Sequence, residues 1–159
     1  MNDINNKIEY LQLKGNNLEE IVKLIKLYEN VFGMERFEYP SHDYLKKILK
    51  NQNIIFMAAK YEDEIIAGLT AHQLASVYSE SNEVYVYDLA VHQDFQRKGI
   101  GTRLLEELKK IICNNGDKEI FLQADIGDAD AIDFYKKNGG VPENVIHFSF
   151  ACKKKNNKF

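Results

Sequence analysis

The run YVYDLAVHQDFQRKGIG, residues 85–101, constrains this chain more than any other stretch. It joins a strand pattern to a glycine-bearing turn that opens a strongly amphipathic helix. Backbone N–H groups in a helix's first turn have no intrahelical partner, and with the positive end of the helix dipole they form an anion site. Gly99 and Gly101 let an anionic group approach the backbone closely. The helix that follows, over 99–113, sets Ile100, Leu104, Leu105, Leu108, Ile111 and Ile112 on one face.

Two other phosphate loops do not fit this string. A P-loop closes on Gly-Lys-Ser/Thr, whereas Lys98 precedes its glycine and Gly101 is followed by Thr102 and Arg103. A dinucleotide fingerprint needs a third small residue near Leu104 and a strand ending at the first glycine, yet this strand ends near Val91. What remains is Gln96-x-x-Gly99-x-Gly101 after a strand and a short loop. Further on, EIFLQADI (119–126) has a strand pattern, and GDADAIDFYKKNGG (127–140) reads as a short helix closed by glycines.

The Gln96–Gly101 string is similar to the acetyl-CoA pyrophosphate loop of the GNAT N-acetyltransferase superfamily, usually Gln/Arg-x-x-Gly-x-Gly/Ala. That family's later helix carries Asn-x-x-Ala-x-x-x-Tyr. Here Asp128, Ala131 and Tyr135 take those places, with aspartate replacing asparagine. The strings FMAAKYEDEIIAGLTAHQL, SNEVYVYDLAV, FLQADIGDADAIDFY and VIHF resemble the aminoglycoside 3-N-acetyltransferase branch.

Periodicity along the chain agrees with that resemblance. A strand is expected at Ile8–Leu13, and Asn16 or Asn17 can cap a helix over Leu18–Phe32, stopped by Gly33. Pro40 and Ser41 open a second helix ending near Leu49. Strands are expected at Ile54–Tyr61, at 65–74 after a YEDE turn, at 83–91 after a polar loop, and at 145–152. The order β-α-α-β-β-β-α-β-α-β is that of the GNAT fold. The resemblance implies an α/β (α+β) architecture: a mixed, mostly antiparallel twisted sheet with helices on both faces and a splayed strand pair that binds acetyl-CoA. One domain over 1–152 is expected, with a basic tail over 153–159.

The resemblance also implies site roles. Acetyl-CoA would meet the backbone of Leu89, Ala90 and Val91, the loop Gln96, Arg97, Lys98, Gly99, Ile100, Gly101 and Thr102, and Ala131, Phe134 and Tyr135. Arg97 and Lys98 are either phosphate contacts or ordinary surface charge. Tyr135 corresponds to the general acid that protonates departing CoA thiolate, and a phenol of pKa near ~10 carries its proton at pH 7. The bland alternative is a packing tyrosine.

An amine must be neutral to attack a thioester, yet a primary ammonium with pKa near ~10 is almost wholly protonated at pH 7. Asp88 is the candidate base, because the resemblance implies that the strand splays there and brings acetyl-CoA beside it. A carboxylate of ordinary pKa near ~4 would need a water relay or a raised pKa to act so, and its other role is to anchor a cationic substrate. The bland alternative is a strand aspartate paired with a neighbouring Lys or Arg. Glu83, Asp88, Asp125 and Asp128 together would suit a substrate bearing several ammonium groups, although Asp128 can simply cap its helix.

The expected reaction is direct acetyl transfer in a ternary complex to an aminoglycoside amine. A polyamine, amino sugar or protein amine is the alternative acceptor, and a non-catalytic acyl-CoA-binding module the alternative class. A formal charge of −3 gives no general attraction to nucleic acid, and no apolar run of membrane length occurs. His42, His72, His92 and His147 lack metal-site spacing with each other or with the cysteines, so no metal is expected. Cys113 and Cys152 are expected as buried or half-buried thiols in a reducing cytoplasm. A homodimer is compatible with the family.

Overall fold

The computed structural model describes residues 5–151. It contains strands β1 (Ile8–Leu13), β2 (Ile54–Tyr61), β3 (Glu64–Ala75), β4 (Asn82–Val91) and β5 (Glu119–Leu122). The helices are α1 (Leu18–Phe32), α2 (His42–Leu49), α3 (Ile100–Asn115) and α4 (Ala129–Lys137). The chain forms two compact units, the first ending at Gln123 and the second beginning at Ala124.

In the first unit the strands lie in the order β1-β2-β3-β4-β5. Neighbours pair antiparallel except β4 and β5, which are parallel. Strand side chains alternate between the two faces, and each face has its own helices. Ile55, Met57, Ala59, Leu69, Val84 and Val86 pack with Ile100, Leu104, Leu108 and Ile112 of α3. Leu13, Phe56, Ala58 and Ala90 pack with Ile21, Leu24, Leu27 and Tyr28 of α1 and with Leu45 and Leu49 of α2. The expected mixed sheet with helices on both faces is therefore observed.

The α1 stripe of Ile21, Leu24, Leu27 and Tyr28 follows helical spacing, and the helix ends at Gly33 with φ +60°. There Met34 N–H reaches back to the Glu29 carbonyl at 3.0 Å, which closes the last turn. At its start Asn17 occupies the capping position but makes no side-chain cap bond. Its Oδ1 accepts from Lys14 N–H at 2.9 Å, fastening the preceding turn instead. Ser41 does cap α2, accepting from Tyr44 N–H.

Three expectations are corrected. The strand expected over 119–126 stops at Leu122. The strand expected over 145–152 is absent from 145–151, and Cys152 and the basic tail lie outside the described residues. Ladder bonds need a neighbouring edge, and in the second unit α4 is the one regular element among the described residues. Cys113, expected beside the apolar stripe of α3 as a buried thiol, is exposed. Its neighbour Ile112 takes the core position.

Candidate active site

β4 carries the candidate residues of the first unit, and an irregularity decides where they face. Thr70 pairs with Asp88 but Ala71 pairs with Val86, so Tyr87 is an extra residue in β4. Val84 and Val86 point to the α3 face. Strict alternation would send Asp88 there too, into an apolar core. The bulge shifts the parity: Leu89 and Val91 pack toward α3, while Ala90 belongs to the α1 face. Asp88, two residues before Ala90, thus shares the α1 face with Thr70, and Tyr87 is left 66% exposed.

The carboxylate of Asp88 is half-buried. Burial raises its pKa above the ordinary value, and a hydrogen bond from Thr70 opposes that rise. Thr70 Oγ1 lies 2.9 Å from Tyr28 Oη, which α1 brings down onto the sheet. Neither residue carries a functional signal in the sequence alone. Tyr28 read as one more apolar position of α1, and the available signal at Thr70 was a lone hydroxyl within the apolar run IIAGLTA.

β5 accompanies β4 only from Glu83 to Val86, so β4 is unpaired on that side of the sheet from Tyr87 onward. Pairing with β5 has stopped where Asp88, Leu89, Ala90 and Val91 follow, and an unpaired strand edge is a template for an extended ligand. Glu83 lies at the other end of β4, exposed, opposite Leu74 and Glu119.

The loop after β4 delivers the chain to α3. Gln96 Nε2 donates to the Val91 carbonyl at 3.1 Å, so its side chain ties the loop to the strand end. Lys98 Nζ donates to the Asp94 carbonyl at 2.7 Å and stands over the Phe95 ring. Arg97 has φ +57° and Gly99 has φ +81°, left-handed conformations that turn the backbone sharply into the helix. The first turn of α3, with Ile100 and Gly101 buried and Thr102 half-buried, carries no acidic side chain to neutralise its dipole. This donor set fits a pyrophosphate: main-chain N–H groups at a helix start and a glycine approach.

In the second unit Asp128 caps α4, its Oδ1 accepting from Ala131 N–H at 2.9 Å. The capping alternative is thus realised. Asp125 Oδ1 accepts from Gly127 N–H at 2.8 Å, tightening the turn before the helix. Ala131, Phe134 and Tyr135 are half-buried, and the rings of Phe134 and Tyr135 meet edge-on at 5.2 Å. Burial, and secondarily the charge of Asp128, push the Tyr135 phenol up from 10.0. It therefore stays protonated well past neutrality.

Among the described residues no three metal-capable side chains converge, and no helix is long and apolar enough to cross a membrane.

Known proteins share this framework. The aminoglycoside acetyltransferase meta-AAC0020, from an uncultured soil metagenomic sample, has been solved with trehalose and with sisomicin. Its trehalose complex superposes with a TM-score of 0.92 at 37% identity, covering 95% of this chain and 100% of that one. The aminoglycoside acetyltransferase HMB0005, also from an uncultured soil sample, gives a TM-score of 0.87 at 35% identity over 92% of this chain and 99% of its own. N-alpha-acetyltransferase 60 of Xenopus tropicalis is 31% identical over 116 residues, 62% of this chain; the match spans about half of that curated relative, 48%. Residues 19–140 match the model of the Acetyltransferase (GNAT) family, and the chain belongs to that family.

Proposed function

We propose that this protein transfers an acetyl group from acetyl-CoA to a primary amine of an aminoglycoside, at the 3-N position, by direct attack in a ternary complex. The observation that carries the reading is the β4 bulge, which turns a half-buried carboxylate out of the core beside an unpaired strand edge leading to the anion-binding start of α3. The 37% identity to meta-AAC0020 over nearly the whole chain supports the aminoglycoside class.

Acetyl-CoA, when bound, supplies the acetyl group as a thioester. The main-chain N–H groups at Gly99–Thr102 would hold its pyrophosphate, and the backbone of Leu89, Ala90 and Val91 would pair with its extended arm. A backbone N–H near Leu89 would be the donor to the thioester oxygen. Asp88 attracts the substrate ammonium and takes up its proton, directly or through a water, so that the neutral amine attacks. The raised pKa of Asp88 makes it a better base than an exposed aspartate. Tyr135 gives its phenolic proton to the departing thiolate, and the net change is amine plus thioester to amide plus thiol. Glu83, Asp125 and Asp128 add negative potential for a polycationic acceptor.

A second reading, acetylation of a peptide or protein amine, is favoured by the 31% identity to N-alpha-acetyltransferase 60. Thiol release from acetyl-CoA, measured against aminoglycosides, polyamines and peptides, tests both. Turnover with an aminoglycoside alone is the expected result. Turnover with a peptide or spermidine and none with any aminoglycoside overturns the assignment, and acetyl-CoA binding without turnover leaves a binding module. For a productive aminoglycoside, NMR of the product reads which nitrogen carries the acetyl group.

A further inference from the structure

Apart from the tyrosine phenol that meets it, Thr70 is the one buried polar side chain among the described residues, 7% exposed within the apolar strand β3. A buried hydroxyl needs partners: Thr70 bonds to Tyr28 and faces the Asp88 carboxylate as a second acceptor. Tyr28 Oη reaches it from α1 at 2.9 Å, and Asp88 stands directly across from it in the ladder on the same face. Tyr28 is itself 7% exposed.

The chemistry of the three groups fixes the direction of the bonds. An ionised carboxylate only accepts, so in a bond between the two the single hydroxyl hydrogen of Thr70 points to Asp88. Thr70 Oγ1 can then only accept from Tyr28, and Tyr28 must be the donor. Burial raises the Tyr28 phenol far above its ordinary range, so it holds that proton at every working pH.

We propose that Tyr28 and Thr70 are positioning residues for Asp88, a one-way chain Tyr28 Oη–H to Thr70 Oγ1–H to carboxylate that keeps Asp88 ionised and aimed at the cationic end of the substrate. This rests on the part given to Asp88 under the proposed function. Burial acts on Asp88 most strongly, and among the polar groups that face it the chain is the one that favours its charged form. α1 presents Tyr28, and β3 presents Thr70 and then His72, whose ring lies edge-on to Tyr87 at 6.0 Å. β5 meets β4 only as far as Val86, bringing Glu119 opposite Glu83 at the distant end.

The test uses Thr70→Val, Thr70→Ser, Tyr28→Phe and the double variant Tyr28→Phe/Thr70→Val. The double variant removes both hydroxyls and so leaves no buried hydroxyl unmatched if Thr70→Val alone folds poorly. The side-chain carboxyl of Asp88 is titrated by carbon NMR, assigned by its loss in Asp88→Asn, and the acid limb of kcat/KM for the amine is measured alongside. In Thr70→Val and in the double variant the carboxyl should bind its proton about tenfold more tightly, because a hydrogen bond to the charged form is lost. Thr70→Ser should restore the original midpoint, and Tyr28→Phe should move it less than Thr70→Val. An unmoved carboxyl titration in both Thr70→Val and the double variant overturns the proposal. A shifted carboxyl titration with an unmoved acid limb upholds the chain of bonds and overturns the part given to Asp88 in the reaction, so the two failures are told apart.

Discussion

Leu24 of α1 lies so close over Gly68 of β3 that a β-carbon built on the glycine would stand 2.3 Å from Leu24 Cδ1 and 2.8 Å from the Met57 carbonyl oxygen. The leucine tip could swing aside, but the carbonyl is part of the β2 backbone paired with β3. This close approach seats α1 on the sheet two residues from Thr70, so it also sets the height of Tyr28 above that hydroxyl.

Gly68→Ala should therefore destabilise the fold by overpacking, by about 1–3 kcal/mol. Urea unfolding of the variant would show a lower midpoint at an unchanged slope. Pairing the change with Leu24→Ala relieves one of the two clashes, so the double variant should lose less than the sum of the single losses. Strict additivity would mean that the contact is not the source of the cost.

Gly99 poses the opposite case. A β-carbon there would meet nothing within 4 Å, yet φ is +81°. Gly99→Ala should cost about 1–2 kcal/mol from the left-handed backbone alone. Relaxation of that strain would re-aim the first N–H groups of α3, so CoA should bind several-fold more weakly by calorimetry while the amine site is untouched. Unchanged CoA affinity in a variant with the expected stability loss would separate this glycine from pyrophosphate binding.

Much of the fold was readable from local pattern because its signals are local. α1 begins at Leu18 and ends at Phe32 as its apolar stripe and Gly33 require, and β1 and β2 match their expected bounds. The segment VIHFSF has equally good alternation, yet residues 145–150 form no strand, because alternation supplies a face and says nothing about a partner edge. The candidate site was legible only as residue types. Asp88 was visible as an acid in a strand, but its facing depends on the extra residue Tyr87, and no property of Tyr87 itself marks a bulge. Thr70 and Tyr28 lie 42 positions apart, and only the packing of α1 on β3 brings them together.

Asp88 should be a site where stability is given up for function. Its folded pKa is raised from the ordinary 3.8, mainly by burial. The folded state then holds this proton more tightly than the unfolded chain, so Asp88 contributes most favourably below pH 3.8, and that contribution is lost as pH rises through the folded value. The charged carboxylate is thus the form that this half-buried place penalises. Asp88→Asn removes that charge and should raise the thermal midpoint at pH 7 by a few degrees, with a gain that shrinks as pH is lowered toward 3.8. A scanning-calorimetry series across this range reads the trend, and a stabilisation independent of pH would show that the charge is not its origin. The same variant should lose turnover by tenfold or more.

Tyr135 gives the last expectation. Burial and the Asp128 charge both act to keep its phenol protonated, so it can donate a proton throughout the neutral range. Tyr135→Phe keeps the ring that meets Phe134 and removes only the hydroxyl. Turnover should fall by about 10²–10⁴-fold, the usual worth of a positioned acid, while acetyl-CoA affinity changes less than about twofold. The comparison must be made where chemistry limits the rate, which a solvent-viscosity series establishes by its lack of effect on kcat. A rescue experiment adds discrimination: acyl donors whose thiol leaves more readily need less help from an acid, so they should recover much of the lost rate in Tyr135→Phe. Equal losses for good and poor leaving thiols would place the role of the hydroxyl in binding the arm of the cofactor instead of in proton transfer.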